Sequence, residues 1–490
     1  MSAARPTSLL AKTSLLLIAA ACPLGPGGVF SVHGQNVAKL YRDNCASCHG
    51  TDYAGGSAPS MLDDTWLTDG SDRALYDAIF DGLEDAGMPA YRGGLSESES
   101  WSLVVYLREA RDRVRREKLG PSTPDDQGVY TTAYHRYRVE PVAKGLDRPW
   151  AIDFLPDGAM LVTERPGRLR LIEAGELSRP VVGTPKVWAY GQGGMLDVAV
   201  DPDYADNGWV YLSFSQKLGK DDAGKRDRGM TAVVRGRIDR DRLRFVDQQT
   251  LFTTPPKLAS RARVHFGSRF VFGDDDTLFF AVGDRGQQGR AQELDKPNGK
   301  IHRIHRDGSV PADNPFAKEP GALATVWSLG HRNPQGLSRH PETGALYDVE
   351  HGPRGGDEIN LVERAKNYGW PVVSYSMNYN QTPRGDNPPF HADKGFVDPV
   401  HYWLPSVAIC GSSFYTGERF ARWKNDLFVA ALAKQEIRRV RLGPDGRSVV
   451  EDEPIFRGLG RVRDVVTGPD GLIYVATEQP GLIRRLVPVE

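Results

Sequence analysis

The stretch LPDGAMLV at residues 155–162 places a Pro-Asp-Gly turn directly before an apolar run that favours a β-strand. The same unit, a turn rich in Pro, Asp or Gly followed by an apolar run, recurs at 201–212, 273–282, 340–347, 423–430 and 468–475. Repetition of one supersecondary unit is typical of repeat folds. We therefore predict an all-β six-bladed β-propeller with about four strands in each blade. A pair of β-sandwiches is the alternative, but a sandwich has no reason to repeat this unit.

Residues 35–118 have a different pattern and predict a small all-α domain. The segment 71–83 carries apolar residues at the i, i+3, i+4 spacing of an amphipathic helix. Ser96 and Glu99 have the spacing of a capping box, which begins a further helix. A stretch rich in Pro, Gly and polar residues follows, with no apolar period, and this predicts a linker. Its length lets the two domains dock against each other.

The N-terminal 34 residues have the features of an export signal. An apolar run at 14–21 follows basic residues and is too short to span a bilayer as a stable helix. Cleavage is expected near Ala21 or near Gly34, and Cys22 leaves lipid anchoring of a secreted or periplasmic protein open. The predicted boundaries are a signal peptide at 1–34, the small helical domain at 35–118, a linker at 119–134 and a propeller domain at 135–490.

Composition narrows the class of protein. The 490 residues are too many for one ordinary core, while 40% hydrophobic and 26% charged residues are usual for a soluble globular protein. The net charge of −1 gives no sign of a nucleic-acid partner or of an anionic membrane surface. No segment beyond the export signal is apolar and long enough to cross a membrane, so we do not expect an integral membrane protein.

The sequence CASCH at residues 45–49 matches the attachment pattern of c-type haem. Cys45 and Cys48 would bond the two vinyl groups, and His49 would place its imidazole under the iron. A downstream methionine sulfur is expected as the second axial ligand, and Met88 is the best candidate.

Two other chemistries use a Cys pair at this spacing. A zinc site would want further Cys or His nearby, and the next histidine after His49 is His135. A redox dithiol would need a βαβ context, which is missing. With its helical surroundings and the export signal, the region 36–117 resembles class I cytochrome c domains.

Polar, Gly-rich clusters lie between the propeller repeats, near predicted strand ends where loops gather around the central channel. Arginine forks suit carboxylates, and together with side-chain amides they predict a ligand with several carboxylates and ring carbonyls. The residues concerned are Arg332, Arg461, Arg463, Gln192, Asn333 and Gln335. Asp357 and Glu358, with carbonyls freed by the Gly352-Pro353 turn, can supply oxygen ligands to Ca²⁺. His265 with Asp284 could form a base and its orienting carboxylate.

Residues 135–487 resemble the soluble, quinone-dependent glucose and aldose sugar dehydrogenase family. The segments that carry the resemblance occur in the family's order: HFGSRFVF, VGDRG, GHRNPQG, EHGPRGGDEIN, NYGWP and GRVRDVVTGPDG. The resemblance implies pyrroloquinoline quinone (PQQ) in the central channel beside Ca²⁺, with an aldose sugar as substrate. Val264 stands where glucose-type members have an acid, which favours the broader aldose-oxidising branch over glucose itself.

The resemblance also implies residue roles. His265 matches the base that takes the proton of the sugar C1 hydroxyl, Asp284 its orienting carboxylate, and Arg332 completes the predicted catalytic set. The predicted cofactor-binding residues are Gln192 (on the substrate side), Asn333, Gln335, Lys434 (in a register uncertain by one with Ala433), Arg461 and Arg463. The predicted metal ligands are the carbonyls of Gly352 and Pro353 at the cofactor, and Asp357, Glu358 and Tyr368 for further structural Ca²⁺.

We therefore predict PQQ-dependent oxidation of aldoses to lactones, with electrons passing to the fused haem c and on to a periplasmic or membrane electron acceptor. Two alternatives remain. One is a non-redox propeller such as a Ca²⁺-dependent lactonase, although a hydrolase has no use for a haem. The other is a binding propeller that docks a partner for the cytochrome, which would not need His265 and Asp284 together.

Overall fold

The computed structural model describes residues 36–385 and 389–489. The predicted signal peptide at 1–34, including Cys22, lies outside the described residues. Within them no helix is both long and apolar enough to cross a membrane.

The N-terminal region is helical, as predicted. Its α-helices are α1 (Val37–Asn44), α2 (Ala46–His49), α3 (Asp72–Asp81) and α4 (Glu97–Leu119). The predicted capping box is present, because Ser96 Oγ accepts from the Glu99 amide while the Glu99 carboxylate accepts from the Ser96 amide. The helical fold of this region is confirmed. A short helix in the propeller, α5, spans Tyr204–Asn207.

The rest of the described chain forms six antiparallel sheets. Two strands precede the first complete sheet: β1 (Val129–Thr131) and β2 (Arg136–Lys144). The first sheet contains β3 (Pro149–Phe154), β4 (Met160–Glu164), β5 (Arg168–Glu173) and β6 (Glu176–Leu177). The second contains β7 (Met195–Val200), β8 (Val210–Lys220), β9 (Asp227–Asp239) and β10 (Arg244–Phe252). The third contains β11 (Phe270–Phe272), β12 (Thr277–Val282), β13 (Lys300–His305) and β14 (Val326–Leu329).

The remaining sheets follow in chain order. The fourth contains β15 (Pro334–Arg339), β16 (Leu346–Glu350), β17 (Asp357–Leu361) and β18 (His401–Trp403). The fifth contains β19 (Ile409–Phe414), β20 (Leu427–Ala431), β21 (Glu436–Leu442) and β22 (Val449–Ile455). The sixth combines β23 (Val462–Thr467), β24 (Ile473–Glu478) and β25 (Gly481–Val489) with β2 and β1.

These sheets close into a ring, because the first strands β3, β7, β11, β15, β19 and β23 each adjoin the next around one axis. The predicted six-bladed propeller is confirmed. The strand of each of the six sequence repeats is the second strand of its blade. The pairing of β2 with β25 joins the two ends of the propeller within one blade and leaves no open edge between them.

Apolar side chains fill the spaces between neighbouring blades, whereas the axis carries buried charge. Arg269 Nη1 lies 2.9 Å from Asp197 Oδ1 and 3.2 Å from Asp464 Oδ2. Because buried charges must be paired, these three side chains hold the inner strands of different blades together. At the level of Arg269, the axis therefore carries paired charged side chains and not an apolar core.

The segment between α4 and the propeller lies against the propeller surface. The amide of Ser122 donates to the carbonyl of Arg457 over 2.9 Å, and Arg457 Nε donates to the carbonyl of Gly120 over 3.1 Å. Strand β1 falls inside the stretch predicted as a linker and pairs with β2.

Candidate functional site

His265 and Asp284 lie together at the channel. His265 Nδ1 is 2.7 Å from Asp284 Oδ1, and the second carboxylate oxygen accepts from Trp370 Nε1 over 2.9 Å. The amide of Gly286 also donates to Asp284, over 2.7 Å. With Asp284 accepting the Nδ1 hydrogen, His265 Nε2 is unprotonated and can accept a proton. Sequence analysis predicted the pair but not Trp370, whose only signal was the NYGWP segment.

The surroundings of this pair favour a neutral His265 and an ionised Asp284. Burial, and then the charge of Arg332, lowers the pKa of His265 below its ordinary 6.5, against the opposing effect of Asp284. Burial opposes ionisation of Asp284, but the hydrogen bond and charge of His265 together with Arg332 hold the pKa of that carboxyl below its usual value. A neutral imidazole beside an ionised carboxylate is the arrangement that general-base catalysis requires.

The backbone at His265 is held in an unusual conformation. Its φ is +54°, in the left-handed region that a non-glycine residue seldom adopts. The amide of His265 donates to Gln192 Oε1 over 2.7 Å, so this predicted substrate-side amide anchors the loop that carries the base.

Arg332 lies beside this pair. Its Nη1 donates to the carbonyl of His351 over 2.9 Å and its Nη2 to the hydroxyl of Tyr379 over 3.3 Å. Its Nε is buried and has no hydrogen-bond partner in the described structure. A buried donor without a partner is costly, so this guanidinium has a binding capacity that the protein itself does not use.

The three predicted arginines, Arg332, Arg461 and Arg463, all act electrostatically on one side chain, that of His351. Burial, and then the charges of Arg332 and Arg463, hold the pKa of His351 well below its usual value. The charges of His265 and Arg461 add to the same effect. This concentration of positive charge around His351 favours an anionic ligand.

The loop that presents Arg332 is held from behind by Glu350. One carboxylate oxygen of Glu350 accepts from the amides of Arg332 (2.5 Å) and Asn333 (3.1 Å). Asn333 Oδ1 in turn accepts from the amide of Gly267 over 3.2 Å, and Gln335 Nε2 donates to the carbonyl of Gly267 over 3.2 Å. The structure thus brings the two predicted amides together at the loop that follows His265.

Arg461 and Arg463 share a carboxylate that sequence analysis missed. Glu478 Oε1 lies 2.8 Å from Arg463 Nε, and Glu478 Oε2 lies 3.4 Å from Arg461 Nε. Burial opposes ionisation of Glu478, but Arg463 and then Arg461 hold the pKa of this carboxyl below its usual value. Glu478 lies at the end of β24, 17 and 15 residues after Arg461 and Arg463 in the same blade. No local sequence motif marks its position.

Gly352 and Pro353 line a cavity of about 280 Å³ together with His351, Tyr379 and Ala433, among other residues. The carboxylate of Asp357 supports this loop: it accepts from the amides of Gly352 (3.0 Å) and Ala408 (2.7 Å) and from the hydroxyl of Ser406 (2.9 Å). These bonds engage the Asp357 carboxylate with the protein itself.

Behind the loop lies a buried acidic cluster made of Asp348, Glu350 and Glu358. Burial, and then Glu350 and Asp348, raises the pKa of Glu358 well above its usual value. Neither oxygen of Asp348 has a hydrogen-bond partner among the described residues, although His331 Nδ1 lies 3.4 Å away. His331, Asp348 and Glu350 are close enough together to hold a metal ion. Orphaned carboxylate oxygens in a buried cluster fit a divalent cation such as Ca²⁺.

Two predicted residues are placed differently from the rest. Tyr368 has its hydroxyl engaged with the backbone, donating to the carbonyl of Leu361 and accepting from the amide of Glu363. Lys434 is not brought together with the predicted cofactor-binding residues. Its Nζ lies 2.7 Å from Asp112 Oδ2 on α4, and it is the neighbouring Ala433 that lines the cavity.

In the CASCH motif, the contacts of His49 are those of a metal-binding histidine. Cys45 and Cys48 are not in a disulfide. His49 Nδ1 lies 3.0 Å from the carbonyl of Pro59. An Nδ1 hydrogen bond of this kind fixes the tautomer and leaves Nε2 free for a metal, so the motif fits a haem iron. Met88 packs against the core of the same helical region.

Comparison with known proteins agrees with this arrangement. Residues 146–485 match the family described as Glucose / Sorbosone dehydrogenase, and residues 33–107 match that described as Cytochrome C oxidase, cbb3-type, subunit III. The chain is 43% identical over 356 residues to an aldose sugar dehydrogenase of Escherichia coli, covering 71% of this chain and 92% of that relative. It is 28% identical over 420 residues to quinoprotein glucose dehydrogenase B of Acinetobacter calcoaceticus, covering 70% and 86% of the two chains.

Solved structures show the same relationship. The apo-form of the soluble aldose sugar dehydrogenase from Escherichia coli superposes with a TM-score of 0.67 at 42% identity, covering 72% of this chain and all of the other. The PQQ-bound form of an aldose sugar dehydrogenase from Streptomyces coelicolor superposes with a TM-score of 0.57 at 26% identity, covering 72% and 98%.

Proposed function

Because the chain belongs to the glucose/sorbosone dehydrogenase family and is an aldose sugar dehydrogenase with a fused cytochrome c domain, we propose a specific reaction for it. An aldose is oxidised at C1 to its lactone with PQQ and Ca²⁺, and the electrons pass to covalently bound haem c. The observation that carries the proposal is the His265–Asp284 pair, with Nδ1 and Oδ1 2.7 Å apart, beside Arg332, whose Nη1 donates to the carbonyl of His351. An exported location and the predicted domain boundaries are part of the same proposal.

The residues that would hold PQQ follow from the unused binding capacity of the site. Arg332 Nε offers a donor without a partner in the described structure. Arg461 and Arg463 share a single carboxylate, Glu478, so the two cations keep one positive charge to offer to an anionic ligand. Asn333 and Gln335 lie in the adjoining loop. Carbonyls of Gly352 and Pro353 would hold Ca²⁺ at the cofactor. When bound, PQQ supplies the two-electron acceptor for the hydride that leaves C1.

The chain's own residues handle the proton. His265 Nε2 accepts the proton of the C1 hydroxyl, and Asp284 stabilises the resulting imidazolium through Nδ1. Trp370 and the Gly286 amide keep the carboxylate oriented toward the ring. Gln192 holds the His265 backbone through its oxygen and can offer its amide hydrogens to a sugar hydroxyl.

The haem would be held by the N-terminal domain. Cys45 and Cys48 would attach the porphyrin through thioethers, and His49 Nε2 and the Met88 sulfur would be the protein ligands of the iron. Asp348 and Glu350 of the acidic cluster, which lie close enough together with His331 to hold a metal ion, would bind a structural Ca²⁺, with the predicted ligand Glu358 beside them.

Reconstitution tests the proposal. The full-length protein, freed of cofactor, is expected to reduce a redox dye with aldoses only after PQQ and Ca²⁺ are both added, and to lose the activity on chelation. A panel of aldoses identifies the preferred sugar. Lactone hydrolysis that needs Ca²⁺ but no quinone, with no dye reduction, would instead support a lactonase.

The pH profile gives a sharper prediction for Asp284. Since burial lowers the pKa of His265, the acidic limb of kcat/KM is expected below pH 6.5, with activity lost as the imidazole becomes protonated. Asp284→Asn removes the neighbour that raises this pKa, so the limb should move to still lower pH while kcat falls by about a hundredfold or more. A profile of unchanged shape in the variant would show that Asp284 does not act through His265.

A further inference from the structure

Helix α4 is the surface on which the two domains meet. The ring of Trp101 contacts those of Tyr375 and Phe390 at centroid distances of 5.6 and 5.7 Å. One turn further, Val105 is fully buried and lies against Gly355 of the propeller. This apolar contact is continuous with the core of the helical domain. The domains are therefore packed together and not merely tethered.

Ion pairs extend the same face of α4. Glu109 binds Arg354 with both oxygens, at 2.8 and 2.9 Å. Further along, Asp112 lies 2.7 Å from Lys434, and Arg116 lies 2.8 Å from the fully buried Glu436. Pairs at three successive positions on one helix face fix both its register and its rotation against the propeller.

Glu109 belongs to the cavity as well as to the interface. It lines the same cavity as Gly352 and Pro353, so the cytochrome domain supplies part of the wall of the site. Its partner Arg354 also lies within 3.5 Å of the carbonyl of Tyr379, whose hydroxyl accepts from Arg332. A short chain of contacts thus joins α4 to the arginine beside the catalytic pair.

The same turn of α4 reaches toward the haem motif. Tyr106, three residues before Glu109, accepts a hydrogen bond from the Tyr53 hydroxyl over 2.7 Å. Tyr53 packs on Tyr41 at a centroid distance of 4.7 Å, and the Tyr41 hydroxyl donates to the carbonyl of Gly50, the residue after His49. Helix α4 and the contacts of Tyr106, Tyr53 and Tyr41 therefore connect the cavity wall to the backbone of the haem motif.

From this juxtaposition, and resting on the proposed function, we propose that residues 105–109 of α4 are the electron-transfer contact between the sugar-oxidising cavity and the haem. Glu109 and Arg354 are the positioning pair that holds this contact. Oxidation of one aldose to its lactone would release two electrons and two protons: one proton passes to His265, and the other leaves C1 in the hydride that the quinone accepts. Two single-electron transfers past α4 would carry the two electrons, one at a time, to the haem, and an external one-electron acceptor would take up each in turn. Both protons would leave to solvent.

Charge reversal tests the positioning pair in the full-length protein loaded with PQQ, Ca²⁺ and haem. After rapid mixing with aldose, haem reduction is followed by its absorption band, and reduction of a soluble dye is measured in parallel. Glu109→Arg and Arg354→Glu are each expected to slow haem reduction relative to dye reduction by about tenfold or more, because each places like charges in contact. The double variant restores the pair in reverse and should recover most of the lost rate.

Glu117→Arg is the matched control, since Glu117 is exposed on the same helix and the charge change is identical. Hydrogen exchange gives a readout apart from activity: amides of the segment 120–128 should exchange faster in the single variants and slow again in the double variant. Haem reduction that is equal in all variants, or that Glu117→Arg slows equally, would overturn the positioning role while dye reduction still supports the proposed function. Absence of dye reduction in the unmodified protein would overturn both.

Discussion

Replacing His265 by alanine is expected to lower kcat for sugar oxidation by about 10²–10⁴-fold, the usual range for the loss of a general base. Its Nε2 is the proton acceptor of the Asp284-oriented pair, and no other imidazole is hydrogen-bonded to that carboxylate in the described structure. Steady-state dye reduction with saturating PQQ and Ca²⁺ measures the effect. The haem spectrum should be unchanged, because the substitution lies in the propeller.

Chemical rescue separates a base from a merely structural residue. Added imidazole is expected to restore part of the rate of His265→Ala, with a pH dependence that follows the pKa of the added base. His340→Ala removes a histidine from a turn before β16 and serves as the control for loss of an imidazole elsewhere in the propeller. Full activity in His265→Ala would exclude the assigned role.

Replacing both Cys45 and Cys48 by alanine is expected to abolish covalent haem. Both thioether bonds are lost, and His49 alone does not retain a porphyrin through denaturation. The absorption of the denatured, pyridine-treated protein measures the attached haem, and the expected value is none. Sugar-dependent electron transfer to an external cytochrome should then fall to the level of the propeller alone.

Cys410→Ala is the control for this loss. Cys410 lies on β19, is fully buried and accepts a hydrogen bond from Arg463. It is far from the attachment motif in sequence and in a different domain, so haem attachment should be complete in that variant. Covalent haem that persists in the Cys45 and Cys48 double variant would contradict the assignment of CASCH as the attachment site.

The fold could be predicted because its signals are local and repeated. A Pro, Asp or Gly turn ahead of an apolar run determines a hairpin from a few neighbouring residues, and each such run became the second strand of a blade. Closure of the ring by β2 and β25 could not be predicted in the same way. It depends on pairing between residues about 345 positions apart, as in Glu140 and Arg485, which no local pattern encodes.

In the candidate site too, residues in local motifs could be predicted, whereas residues placed by tertiary contacts could not. His265, Asp284 and Arg332 stand in compact motifs, so their chemistry could be proposed from the sequence, and the structure brings them together. Trp370 was missed because it contributes one polar atom to a partner from another blade. Glu478 was missed because it meets Arg461 and Arg463 only across the pairing of β23 with β24, with no local motif to mark it. Lys434 shows the converse, since a residue placed by resemblance has its charge paired with Asp112 of the helical domain.

By itself, the sequence determined the propeller with its helical partner, the haem attachment motif and the residue types of a polyanion site, because each rests on contacts within a few residues of chain. Only the tertiary structure decided which carboxylates are paired, which loops line the cavity, and that α4 supplies part of its wall. Those features depend on packing between blades and between domains, where burial and charge are set by residues far apart in sequence.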